Sequence, residues 1–166
     1  MEFNGKAHKF GNDVNTDYII SGKYKFKTLD MRELAKHVME DLDPDFHSKV
    51  TPGDLMIAGT NFGCGSSREQ APLAIKYADV SAVLAKSFAR IFYRNAINTG
   101  LPVVECDTDL IDPGDELTVD LAAGVIKNKT KQITIPVKPL PAVMIKILND
   151  GGLAAHFRKY GGFNFS

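Results

Sequence analysis

Apolar residues along this chain fall into short runs separated by glycine- and proline-rich turns, and the runs follow two different periods. Val80 to Ala85 is almost continuously apolar, the pattern of a strand covered on both faces in a parallel sheet. Asp54–Ala58, after the Pro52-Gly53 turn, and Val103–Cys106 read the same way. Between them Ala71, Ala74, Ile75 and Ala78 recur at helical spacing, which predicts a helix from about Ser67 to Ala78. Phe88–Asn98 predicts a second helix, stopped by Gly100 and Pro102. The order strand–helix–strand–helix–strand predicts an α/β core with parallel strands.

The flanking segments have a different texture. Residues 3–10 predict a first strand, and Gly11 to Gly22 a polar, turn-rich loop. Asp30 reads as an N-cap with Glu33 completing a capping box, so that the helix after it buries Leu34, Val38 and Met31. Asp41–Pro52 reads as a connector. Beyond Asp107, residues 115–121, a turn at 122–124, then 125–127 and 132–136 predict antiparallel hairpin strands. Pro139–Lys159 predicts helix with a break near Gly151-Gly152. Without repeats or linkers, residues 1–166 read as a single domain.

Composition narrows the function classes. Lys plus Arg equals Asp plus Glu, 20 each, so no basic excess points to nucleic acid. The zero formal charge also does little to oppose association, which allows a homo-oligomer of the isolated chain. No apolar run is long enough to span a bilayer, so no membrane role is expected, and Met1–Gly5 lacks the pattern of a signal peptide. The two cysteines, Cys64 and Cys106, form no CxxC pair and fit a reduced, cytoplasmic setting. The histidines (His8, His37, His47 and His156) have no metal-ligand spacing, so no metal site is expected on this chain.

The candidate chemistry lies in Gly59-Thr-Asn-Phe-Gly-Cys-Gly-Ser-Ser-Arg-Glu69. Ser66-Ser67-Arg68-Glu69 matches a capping box, in which Ser66 would cap the helix and Glu69 reach back. A cap needs neither Gly63 and Gly65 on its approach nor a cation close to a positive helix end. An anionic ligand explains both, with small residues giving close backbone approach and Arg68 a planar fork for carboxylate or phosphate. Asp13-Val-Asn-Thr-Asp17 is either an Asx-turn loop or the source of a carboxylate, Asp17, that orients this arginine. Lys86, Ser87 and Arg90 open the second helix, either near the glycine loop at the carboxyl ends of the strands or as a solvated helix start. Cys64 is a lone thiol with no histidine suggested beside it, and Cys106 reads as a core residue.

Three stretches together carry a resemblance: Asp13–Ile20, Asn61–Glu69, and Lys86-Ser-Phe-Ala-Arg-Ile-Phe-Tyr-Arg-Asn-Ala-Ile-Asn-Thr-Gly-Leu-Pro102. In this order they resemble the 3-isopropylmalate dehydratase small-subunit family, the detached swivel domain of the aconitase superfamily. The resemblance implies a three-layer β/β/α swivelling domain. It implies a separate large subunit carrying a [4Fe-4S] cluster, with no cofactor bound by this chain. The implied reaction on a dicarboxylate is dehydration of a 2-hydroxy acid and rehydration at the neighbouring carbon, with a cluster iron as Lewis acid.

Carried over residue by residue, the family pattern makes Ser66 the base, has Ser67 and Arg68 bind substrate carboxylate, and has Asp17 support the site. Gln70 stands where the family usually has His. The loop Tyr24-Lys25-Phe26-Lys27, which corresponds to the part meeting the variable end of the substrate, departs from the family's usual Tyr-Leu. Phe26 suits an alkyl group, whereas Lys25 and Lys27 suit a further carboxylate. Isopropylmalate, 2,3-dimethylmalate and homoaconitase-type substrates therefore all stay open. Readings of another class are a phosphate- or nucleotide-binding module, which lacks the usual glycine-lysine signatures here, and a thiol enzyme using Cys64.

Overall fold

The computed structural model describes residues 1–24, 30–66 and 68–162. Its elements in chain order are β1 (Glu2–Lys9), α1 (Thr16–Ile19), α2 (Met31–Ala35), α3 (Phe46–Lys49), β2 (Leu55–Ile57), α4 (Gln70–Tyr77), β3 (Ala82–Ala85), α5 (Arg90–Thr99), β4 (Val103–Glu105), β5 (Glu116–Asp120), β6 (Val125–Asn128), β7 (Ile133–Pro136), α6 (Ala142–Asn149) and α7 (Leu153–Tyr160). Among the described residues the strands form one mixed sheet in the order β4-β3-β2-β1-β5-β6-β7. β4, β3, β2 and β1 run parallel, and β5, β6 and β7 continue as an antiparallel meander.

β1 joins the two halves because its ends take different partners. Ala7–Lys9 pair with Leu55–Ile57 of β2, and Glu2–Lys6 pair with Asp120–Glu116 of β5. The sheet curls until its edges approach: Cys106 bridges Val137, and the Lys138 N–H donates to the Glu105 carbonyl at 3.0 Å. Period-two alternation then sorts each strand between two cores. Leu55, Ile57, Ala82, Leu84 and Val104 face Leu117, Val119, Ile126 and Ile135 inside the curl. Met56, Val83 and Ala85 point the other way, onto Ala71, Ala74, Ile75, Phe92, Ala96 and Ile97 of α4 and α5. The result is helix, parallel half-sheet and antiparallel half-sheet in three layers, as expected.

Several local expectations hold. Asp30 caps α2 by accepting from the Glu33 N–H at 2.8 Å, and Leu34 and Val38 are buried. The Glu33 carboxylate is bound by Lys36 at 2.9 Å, so the reciprocal half of the predicted box is not what engages it. The connector over 41–52 contains the short helix α3. The break at Gly151-Gly152 separates α6 from α7, where fully buried His156 meets the Asp150 carboxylate at 2.6 Å.

Candidate active site

The two polar stretches singled out in the sequence lie side by side. The loop after β1 and the glycine loop after β2 run parallel and bond repeatedly. Asp13 N–H donates to Thr60 O (2.8 Å), Gly63 N–H to Val14 O (2.7 Å) and Thr16 N–H to Cys64 O (2.9 Å). The Thr16 hydroxyl adds a bond to the Ser66 carbonyl at 2.8 Å, and one residue on, Asp17 pairs with Arg68 Nη2 at 2.7 Å. Asn15 caps α1 by accepting from the Tyr18 N–H, which fixes the turn carrying both residues. Gly63, at φ +83°, lies so close to Phe92 that a β-carbon would collide with the ring. The second motif braces the loop from its other side: Asn61 N–H donates to Ser87 Oγ at 2.8 Å, and Phe62 N–H to Ser87 O at 3.0 Å.

The helix after the loop begins later than the sequence predicts. α4 starts at Gln70, its N-cap is Glu69 in helical conformation, and no side chain caps it. Ser66 is therefore not the cap of this helix, and the capping-box reading is corrected. Pro72 gives one reason. It has no N–H, and its ring is tolerated only in a first turn. A helix starting at Ser67 would put Pro72 beyond that turn; a start at Gln70 puts it inside.

Ser66 and Arg68 border a cleft of about 350 Å³, together with Thr16, Gly63 and Gly65. The first turn of α5, Arg90 to Phe92, also lines it, with Ala89 before that turn and Asn95 after it. No side chain caps α5. The helix end that borders the cleft thus belongs to α5, not to the helix following the glycine loop. First-turn N–H groups have no partner within their own helix, and together with the dipole they favour negative charge. Arg90 borders the cleft, as one of the two readings of its motif had it, whereas Lys86 turns away to Asp109 at 2.6 Å.

Arg68 is the most telling group. Its side chain is only 12% exposed, yet Nε and Nη1 are buried with no acceptor among the described residues. A buried donor left unpaired carries a penalty of about 1–3 kcal/mol. A guanidinium held this way beside a cleft is suited to receive a carboxylate. Ser66 is exposed at the same rim.

The other nominated residues separate. Tyr24 ends a 3-10 turn, Gly22–Tyr24, whose Gly22 lies beside the Asp17 carboxylate. Its hydroxyl donates to Glu40 Oε1 at 2.7 Å and its ring stacks on His37. That bond to Glu40 holds the Tyr24 phenol above its usual pKa, and Tyr24 does not border the cleft. Ser67, Lys25, Phe26 and Lys27 lie outside the described residues. Thr16 and Asn95 also border the cleft; the sequence pattern assigns them no role, although Thr16 lies between Asp13 and Asp17 and Asn95 lies in the stretch after Lys86.

The chain's own donors do not fit an iron–sulfur cluster, which takes three or four thiolates. It has two cysteines, one on the glycine loop and one after β4. Among the described residues no three His, Cys, Asp or Glu side chains converge on a metal position. Burial, reinforced by neighbouring Asp107, pushes the Cys106 thiol up to about 12, so it is not a thiolate at neutral pH.

Comparison with known proteins agrees with this geometry. The family model for the aconitase C-terminal domain matches residues 9–108. The 3-isopropylmalate dehydratase small subunit 2 of Archaeoglobus fulgidus is 62% identical, over 97% of this chain and 98% of that protein. The 3-isopropylmalate dehydratase small subunit of Caldicellulosiruptor saccharolyticus is 57% identical, over 92% and 89%. The crystal structure of 3-isopropylmalate dehydratase from Methanocaldococcus jannaschii superposes with a TM-score of 0.93 at 50% identity, covering 97% of this chain and 96% of that one. The paired loops and the three-layer sheet are thus those of a known group: the chain belongs to the aconitase C-terminal domain family, alongside the small subunits of 3-isopropylmalate dehydratase.

Proposed function

We propose that this chain is the small subunit of a two-subunit hydro-lyase, 3-isopropylmalate dehydratase of leucine biosynthesis, and contributes half of the active site. Its relatives carry that name along nearly their whole length. The observation that carries the site assignment is the Arg68 guanidinium, buried with donors that have no acceptor among the described residues, at the cleft where Ser66 is exposed. Arg68 binds a carboxylate of the 2-hydroxy dicarboxylate, with Ser67 as its neighbour in the motif. Asp17 holds Arg68 through Nη2, which leaves Nε and Nη1 for the substrate. Ser66 Oγ, as the alkoxide, takes the proton from the carbon next to that carboxylate. The first turn of α5 and the Arg68 charge both favour the alkoxide over the neutral hydroxyl.

The [4Fe-4S] cluster belongs to the large partner subunit in this reading, in keeping with the donor set here, and the chain alone is inactive. A cytoplasmic location suits a biosynthetic enzyme of this kind. Lys25, Phe26 and Lys27 are the residues this reading assigns, by the family resemblance, to the variable end of the substrate.

The test is to purify the chain with its large subunit under anaerobic conditions and assay isopropylmalate, 2,3-dimethylmalate and homocitrate side by side. Turnover of isopropylmalate above the other two is expected. Preference for either rival would move the assignment to that substrate. Ser66→Ala should lower kcat by about 10²–10⁴, and full activity in that variant would remove Ser66 from the base role. Iron in stoichiometric amount on the isolated small chain would refute the division between subunits.

A further inference from the structure

Ser66 is exposed at the end of a loop, a poor place for a group that must meet one carbon atom. Among the described residues, the bonds that hold it come from the loop after β1. The backbone bonds tying the two loops together end, among the described residues, at Thr16 N–H to Cys64 O, 2.9 Å. Beyond that point the chain at Thr16 turns into α1 and its backbone no longer follows the glycine loop. The Thr16 side chain supplies the next rung: its hydroxyl donates to the Ser66 carbonyl at 2.8 Å. Thr16 is 2% exposed, so water does not compete freely for that bond. Its β-branched side chain has restricted χ1 freedom and holds the hydroxyl in place. The adjacent residue, Asp17, holds Arg68. One dipeptide in the first turn of α1 therefore grips the glycine loop on both sides of Ser67.

We propose that Thr16 is a positioning residue for the Ser66 base: its buried hydroxyl, through the Ser66 carbonyl, fixes where Ser66 Oγ stands relative to the Arg68 guanidinium. The inference rests on the reading of Ser66 as the base. It assigns Thr16 no contact with the reacting atoms. A displacement of about an ångström at a reacting group is enough to reduce turnover about a hundredfold. Substrate binding through Arg68, which Asp17 holds independently, should change much less.

The experiment compares Thr16→Val and Thr16→Ser in the complex with the large subunit, beside Ser66→Ala. Val keeps the shape and removes the donor; Ser keeps the donor and removes the methyl group. Thr16→Val should lower kcat about 10- to 100-fold with KM within about twofold, and Thr16→Ser should stay within about threefold of the parent. Wild-type kcat in a folded Thr16→Val complex overturns the proposal, as does a rise in KM alone. If Thr16→Val does not fold, Thr16→Ser against Thr16→Ala makes the same comparison. Equal kcat loss in Ser and Ala would show that the hydroxyl is not what matters. A fully active Ser66→Ala would instead refute the base reading beneath the proposal. An inactive Ser66→Ala with a fully active Thr16→Val would refute only the tether.

Discussion

Replacing Arg68 with methionine should make the isolated chain more stable and the assembled enzyme nearly inactive. In Arg68→Met the unbranched side chain keeps much of the stem that fills the cleft wall, and the guanidinium is gone. The ion pair lost is that between Nη2 and Asp17. The Asp17 carboxylate is 60% exposed, so the pair is worth about 0–1 kcal/mol. Two buried donors without acceptors among the described residues, Nε and Nη1, disappear at the same time, each relieving about 1–3 kcal/mol. Allowing for imperfect packing of methionine, the net gain is about 1–3 kcal/mol. For a domain of this length that raises Tm by roughly 2–10 °C. The assay is thermal denaturation of the isolated small chain, followed by reconstitution and kinetics. Loss of charge-assisted bonds to a carboxylate, worth about 1.5–3 kcal/mol, should reduce kcat/KM at least about tenfold. A variant less stable than the parent would mean that the arginine donors are satisfied without substrate, and the argument from unpaired donors would fail.

Three further outcomes are expected. Gly63→Ala should destabilise the chain by about 2–5 kcal/mol, from positive φ plus collision with Phe92. Gly114→Ala, at similar φ in open space, should lose only about 1 kcal/mol; equal urea midpoints would dismiss the Phe92 contact. Burial pushes the Asp54 carboxyl up, but bonds with His8 and the Thr51 and Lys6 N–H groups outweigh it and hold the pKa below its usual value. Its contribution is therefore present above the unfolded pKa of about 3.9 and lost as pH falls through the lower folded value. Asp54→Asn should be less stable than the parent at about pH 7, with the gap in urea midpoint shrinking by about pH 3; a constant gap would contradict this. Iodoacetamide at about pH 8 should label Cys64 in the native chain and spare Cys106, whose thiol is pushed up to about 12. Peptide mass mapping that finds native Cys106 alkylated would refute its burial.

Much of the fold is legible locally. The apolar runs at 54–58, 80–85 and 103–106 became β2, β3 and β4, and the helical periods between them became α4 and α5, because each pattern needs only near neighbours to be read. The partners of β1 are another matter. Its bonds to β5 join residues more than a hundred positions apart, and no local pattern says that one strand serves both half-sheets. α4 starts later than its local pattern predicts, because a serine three residues before a glutamate resembles a cap. Pro72 and the pull of Thr16 on the Ser66 carbonyl outweigh that signal.

The candidate site divides along the same line. Residue types and short spacings already set the glycine loop, the serine and arginine within it, and a thiol count too small for a cluster, while the pairing of Asp17 with the arginine was one of two open readings until the ion pair decided it. Folding brought Thr16, the pair Ser66 and Arg68, and the stretch Ala89–Phe92 to one cleft, and made α5 rather than α4 the helix whose end borders it. It also buried two Arg68 donors with no acceptor among the described residues. Burial and hydrogen-bond satisfaction are properties of what surrounds a group, and here the surroundings come from three segments distant in the chain.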